Sequence, residues 1–365
     1  MNVRAVLAPR WFGLAAWLTP VIFFAIAPVA FLVGKSLRAL DASVAASLIS
    51  ELDALGNTLL TSLGAAAFAF LLATPLALLL YRTDVPLRGM FAALFTLPSA
   101  IPPFIWGMGW LLLANPKAGY LNRLFGERTF DIYGPAGIAF VMGLSGIPLV
   151  LLAGGSALRR IDPGLEEAAR VCGASPLRAL LATTVPLALP SLLSGAVMVF
   201  LMAASAFGVP YILGVSASPP TQVLTTRIYG YVLMGGDDNL ARAVLLATTL
   251  LAMTPLVLWL NRAFGKMGRV RLGAGKGVSP RPMSLGRGRI PALLFVAAAA
   301  GVLVLLPLGA VALTSVQRSF GAALTAENFT LSHWSHLFGD TRTLYAAGRS
   351  IVLALAAGGV VVVLG

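Results

Sequence analysis

The chain has 365 residues, 58% hydrophobic and 11% charged, with a net charge of +13. A soluble domain carries about 25% charged residues, so this composition excludes an ordinary soluble fold and predicts an all-α polytopic membrane protein. The single cysteine, Cys172, excludes a disulfide framework and a cysteine-based metal cluster.

A span needs about 20 apolar residues to cross roughly 30 Å of hydrocarbon. Seven runs meet that length: 11–34, 57–81, 91–114, 134–156, 187–209, 243–261 and 290–313. The first reads as a retained span, because it is long and "PVAFLVGKSL" offers no small-x-small cleavage pattern. An eighth run, Ser350 to Gly365, has 16 residues and reads as a span begun but not completed. The seven complete runs hold no Asp, Glu, Lys, Arg or His.

Charge sets the expected orientation. With the N-terminus in the cytoplasm, segments 1–10, 82–90, 157–186 and 262–289 lie inside and carry sixteen Lys/Arg against four acids. Segments 35–56, 115–133, 210–242 and 314–348 lie outside, with nine Lys/Arg and nine acids. This is the positive-inside pattern. The basic, Gly/Pro/Ser-containing stretch 262–289 reads as a flexible, lipid-facing linker between two membrane domains. Phe264 is its one aromatic, so nucleic-acid binding is not expected.

The sequence also repeats itself. "APVAFLVGKSL" (27–37) echoes "LPLGAVALTSV" (306–316), and "ALGNTLLTSLGAA" (54–66) echoes "AAGRSIVLALAAG" (346–358). The expected organisation is a six-span domain over 1–261, the linker 262–289, and the start of a second such domain over 290–365. A complete chain would then have roughly 550 residues.

Between the fourth and fifth runs sits "IDPGLEEAARVCGASPLRALLATTVPLALP" (161–190). Asp162 and Pro163 are a helix start, with Glu166 and Glu167 in the first turn where the macrodipole favours acids. Gly173 ends that helix, and Ser175-Pro176 starts another. Pro186 and Pro190 are expected to break or kink the approach to the next span. Ala168 and Ala169 leave one face flat for a close approach. Cys172 is expected to be a small buried filler. Spacing alone leaves two readings open: a docking helix, or an amphipathic helix at the membrane interface.

The stretch resembles the "EAA" loop of permease subunits in binding-protein-dependent ABC importers, written E-A-A-x3-G-x9-I-x-L-P. Glu167, Ala168, Ala169, Gly173 and Pro186 match, while Thr183 and Val185 replace the Ile and Leu. "TLPSAIPPFIWGMGWLLL" (96–113), "FDIYGPAGIAFV" (130–141), "SAFGVPYILG" (205–214), "VLTTRIY" (223–229) and "LTAENFTLSHWSHLF" (324–338) are similar to the ferric-iron branch with two fused halves. The resemblance implies the type I permease fold, one complete six-helix half plus the start of a second. A second EAA loop would belong to the continuation of the chain. The resemblance also implies that 157–186 is a coupling segment, with Glu167, Ala168, Ala169, Arg170, Gly173 and Pro186 contacting a separate ATPase homodimer. ATP and Mg would bind that partner, and this chain would hold no cofactor. A periplasmic solute-binding protein would deliver the cargo to a multi-pass permease in the bacterial inner membrane, among its lipids. Ferric iron is the expected cargo, with aminoalkylphosphonate, thiamine or polyamine as alternatives.

No ATPase signature is present, since "GKS" (34–36) lacks the Gly that a phosphate loop needs at Val29. An ion-coupled carrier is the competing class, and it commonly needs ionisable groups inside its spans. A membrane-embedded enzyme would need a polar constellation. His333 and His336 read as an external amphipathic surface and not as a metal site. Two interrupted stretches, "PSAIPP" and "SAFGVP", make Ser99, Pro102, Pro103, Ser205, Gly208 and Pro210 candidates for lining a translocation path.

Overall fold

The computed structural model describes residues 23, 26–38, 49, 51–272 and 282–364. The expected inside segment 1–10, most of the first run 11–34, part of the outside segment 35–56 and linker residues 273–281 lie outside them. The regular elements among the described residues are all helical. The chain divides into two compact units, one over Ala46–Ala312 and one combining Met1–Ala45 with Leu313–Gly365.

In the second of these units, α1 covers Ala27–Arg38. The larger unit begins with α2, Leu52–Arg82. Its threonines would be liabilities in an apolar helix. Instead Thr58, Thr61 and Thr74 each donate to the carbonyl four residues back, at 2.6–2.7 Å. Ala65, Ala69, Ala73 and Ala77 recur every fourth residue and are fully buried. They form a stripe of small side chains along one face.

After a turn come α3, Arg88–Ala100, and α4, Pro103–Ala114, bent by 103° against each other. The run 91–114, expected to be one span, is built from this bent pair. Ile101 and Pro102 are extended, and two successive prolines lack the N–H groups that a continuous helix needs. A short α5, Tyr120–Phe125, precedes α6, Pro135–Leu158.

Helix α6 is the centre of the unit. Its glycines let neighbours approach at backbone distance. A Cβ on Gly143 would lie 2.8 Å from the Ala65 carbonyl oxygen on α2. Such small-residue contacts hold helices together where lipid removes the hydrophobic drive.

Next come α7, Pro163–Val171, and α8, Pro176–Ala179, then a π-helical turn at Leu180–Thr184 and α9, Val185–Ala204. Pro186 and Pro190 were expected to break or kink the approach, and the helix is not broken at either. A π-helical turn precedes both prolines, and helical structure runs from Pro176 to Ala204. That span also stops short of the expected residue 209, at Ser205. Then follow α10, Gly208–Gly214, α11, Leu224–Met234, and α12, Asp237–Leu272. Helices α13, Arg289–Ala300, and α14, Leu306–Ser315, join through a π turn at Gly301–Leu305. Helix α13 packs beside α3.

Beyond residue 313, Gln317 bridges Phe329, and the ring of His333 shares a hydrogen bond with the Gln317 carbonyl at 2.9 Å. Helix α15, Ser332–Gly339, packs on α16, Thr341–Leu364. The eighth run therefore begins nine residues before the expected Ser350, and the helix includes Arg342 and Arg349. Among the described residues, six helical stretches are long and apolar enough to cross a membrane, or seven with the bent α3–α4 pair.

Candidate functional site

The charged stretch folds as its residues dictate. The Asp162 side chain accepts from the Gly164 N–H at 2.9 Å, and the Ser175 hydroxyl accepts from the Arg178 N–H at 3.3 Å. Both are N-caps followed by proline at the first helical position. At the other end of α7, Ala174 N–H donates to the Ala169 carbonyl and Gly173 N–H to the Arg170 carbonyl, each at 3.0 Å. That pair of bonds is a Schellman closure, and it puts Gly173 at φ +90°. A side chain there would strain the left-handed backbone.

Helix α7 buries none of its residues. Glu167, Ala168, Arg170 and Val171 are exposed, and Ala169 is half-buried. Cys172 is exposed as well, which corrects its expected role as a buried filler: the helix turns away from the bundle and gives it nothing to fill. Pro186 is exposed at the start of α9. A cleft of about 130 Å³ is lined by Glu166, Glu167, Arg170, Pro176, Met283 and Ser284, among others.

The sequence reading missed what holds this hairpin. Arg82, at the end of α2, is 3% exposed. Its Nη1 donates to the Leu158 and Ile161 carbonyls, both at 3.2 Å, and its Nη2 pairs with Glu166 Oε1 at 2.5 Å. The Thr184 hydroxyl donates to the same carboxylate oxygen. The linker closes on this point too, since Met283 N–H donates to the Arg82 carbonyl at 2.8 Å and Asp84 N–H to the Met283 carbonyl at 3.1 Å. Three segments expected on one side of the membrane, 82–90, 157–186 and 262–289, thus meet. An arginine ending an apolar run, followed by acids in another loop, was the available signal.

At the opposite end of α2, Glu51 lies 2.9 Å from the Arg227 guanidinium and accepts from the Tyr231 hydroxyl at 2.5 Å. Asn57 donates to the Gln222 carbonyl, and Leu224 N–H donates to the Thr58 hydroxyl. These residues come from the expected outside segments 35–56 and 210–242, together with α2.

The candidate path residues fall around two breaks. A Cβ on Gly208 would lie 3.0 Å from the Phe104 ring, and one on Gly107 would lie 2.9 Å from Ile212, so α4 and α10 pack together. Ser99 and Ser205 are exposed, but each hydroxyl donates back into its own helix, to Thr96 at 2.7 Å and Leu201 at 2.9 Å. Pro102 is exposed, Pro103 and Gly208 are half-buried, and Pro210 is buried and presents no surface. Three exposed aromatics, Phe207, Tyr211 and Tyr229, pack with ring centroids 4.9–5.8 Å apart beside the second break.

A helical bundle with six stretches long and apolar enough to cross a membrane among the described residues, and a capped hairpin between two of them, has the architecture of a polytopic membrane protein. The chain belongs to the family of binding-protein-dependent transport system inner membrane components, whose model matches residues 69–267. It is a multi-pass permease component and not an enzyme. The molybdenum transport system permease protein ModB of Escherichia coli (strain K12) is 28% identical over 56% of this chain and 93% of its own length. The ferric transport system permease protein FbpB of Actinobacillus pleuropneumoniae is 31% identical over 52% of this chain and 28% of its own length. Among solved structures, a chain of a bacterial ABC transporter involved in the import of the acidic polysaccharide alginate has the same fold. Its TM-score is 0.57 at 21% identity, covering 73% of this chain and 99% of that one.

Proposed function

We propose that this chain is the permease subunit of an ATP-driven importer and that residues 157–186 are its coupling segment. One observation carries the reading. A helix with both ends closed, carrying Glu167-Ala168-Ala169 and burying none of its residues, is fixed at both ends to spans. Such a helix moves as a rigid body when a partner pushes it. In this reading Glu167, Arg170 and the flat Ala168–Ala169 face contact a separate ATPase homodimer, while Gly173 sets the angle and Pro186 starts the span that follows. ATP and Mg belong to that partner. A periplasmic binding protein delivers cargo at the opposite face, near the Glu51–Arg227 end of α2. The N-terminus and the linker 262–289 are cytoplasmic, and the linker separates a domain over 1–261 from one over 290–365. The path runs past the breaks at Ser99–Pro103 and Ser205–Pro210.

The cargo we propose is ferric iron, on the motif resemblance and the FbpB relatives. Molybdate is the second reading, favoured by ModB relatives that match over nearly their whole length. The test is ATP-dependent uptake into proteoliposomes holding the full-length permease, its ATPase and its binding protein. Radiolabelled ferric iron accumulating in preference to molybdate supports the first reading, and the reverse preference supports the second. Accumulation that proceeds without the ATPase would overturn the importer reading in favour of an ion-coupled carrier.

A further inference from the structure

We propose that Arg82 is the positioning residue of the coupling segment, the point through which a push on α7 reaches the spans. This rests on the reading of α7 as the docked helix and adds how it is attached from within. Because α7 buries no residue, its own packing transmits little force. Its polar attachment is Glu166, which is half-buried and turned toward the bundle, whereas Glu167 is exposed.

The geometry makes Arg82 a junction. One nitrogen of its guanidinium holds the carbonyl of Leu158, the last residue of α6, and that of Ile161 in the turn that follows, and the other holds Glu166. The Leu158 carbonyl belongs to the negative end of the α6 dipole. A planar, always-charged fork satisfies both partners together, which an ammonium point charge does not. Thr184, the residue that caps α9, adds the entry to that helix at the same carboxylate oxygen. Meanwhile the Arg82 backbone is pinned by Met283. Displacing Glu166 therefore pulls at once on α2, α6 and α9, the three helices packed at the centre of the unit. The site is nearly closed to water, with the Arg82 and Glu166 side chains 2% and 13% exposed, so screening is weak.

The experiment uses the full-length permease with its ATPase in nanodiscs, in a Cys172→Ser background. Nitroxides at Val171→Cys on α7 and at the exposed Ser218→Cys in the expected outside segment 210–242 report one distance, read without nucleotide and after trapping with ATP and vanadate. The unmutated pairing should show a narrow distribution that shifts on trapping. Thr184→Val removes one donor to a charged oxygen and should cut that shift roughly fivefold, while Thr184→Ser should retain it. Arg82→Gln should cut it roughly tenfold or more, with the ATPase still co-purifying. A shift of unmutated size in both Thr184→Val and Arg82→Gln would overturn the proposal. If Arg82→Gln fails to insert, the Thr184 pair decides alone: equal shifts in Val and Ser overturn it. A permease that shows no trapping shift, or holds no ATPase before any substitution at these sites, overturns the docking reading itself, and this proposal with it.

Discussion

Tyr231 donates its hydroxyl hydrogen to Glu51 at 2.5 Å, joining α11 to the residue that immediately precedes α2. Glu51 is 5% exposed, so its carboxylate depends on Tyr231 and on Arg227. Burial, and then the hydrogen bond to Glu51, push the Tyr231 phenol above its ordinary value of 10.0. A group whose pKa is raised by folding contributes stability that is fully present below its unfolded pKa. The contribution is lost as pH rises through the folded value. The clamp should therefore hold across neutral pH and release only above pH 10. Alkaline absorbance titration of the protein and of Tyr231→Phe should differ by one phenol titrating late. A missing phenol that titrates at or below pH 10 would contradict this.

Orientation is checked by labelling. Ser175 and Ser218 are both exposed, so access to either is limited by the membrane and not by packing. In a Cys172→Ser background, Ser218→Cys in intact cells should react with an impermeant maleimide, and Ser175→Cys should react only after permeabilisation. The opposite pattern would invert the topology derived from the charge excess.

Much of this molecule is legible in its residues, and the exceptions share a cause. The caps at Asp162 and Ser175 and the turn at Gly173 are local, so a few neighbouring residue types specify them. The 103° bend at Pro102 was readable as an interruption but not as an angle, because prolines remove donors without fixing where the chain goes next. Arg82 looked like one topogenic charge among sixteen, because its partners lie 76 to 84 residues away. The exposure of Cys172 likewise depends on how α7 projects from its neighbours. Hydropathy placed the last span late because Arg342 and Arg349 lower the average without ending the helix.

Gly173 is a sharp test of the hairpin. A Cβ at this position meets nothing within 4 Å, so substitution costs only the left-handed backbone, about 1–2 kcal/mol for alanine. Gly173→Ala should leave membrane insertion intact and lower ATP-coupled uptake severalfold. Gly173→Pro, whose ring locks φ near −65° and which removes the donor to Arg170, should abolish it. Uptake unchanged in both would leave α7 as an interface helix with no coupling role.

A second glycine, at the centre of the bundle, is held by contact and not by backbone angle. Gly195 on α9 faces α6 so closely that a Cβ would sit 2.7 Å from the Val150 Cα and 3.0 Å from the Leu149 carbonyl oxygen. Backbone cannot swing aside as a side chain can, so the two helices must separate. Overpacking of this kind costs about 1–3 kcal/mol, and the lost close approach adds to it because dispersion and small-residue packing hold these helices together in lipid. Gly309 on α14 provides the control, since a Cβ there meets nothing within 4 Å. Gly195→Ala should lower the thermal unfolding midpoint in detergent by several degrees. Gly309→Ala should leave it unchanged or raise it slightly through better helix propensity. Equal midpoints for the two variants would show that α6 and α9 are not in backbone contact at Gly195.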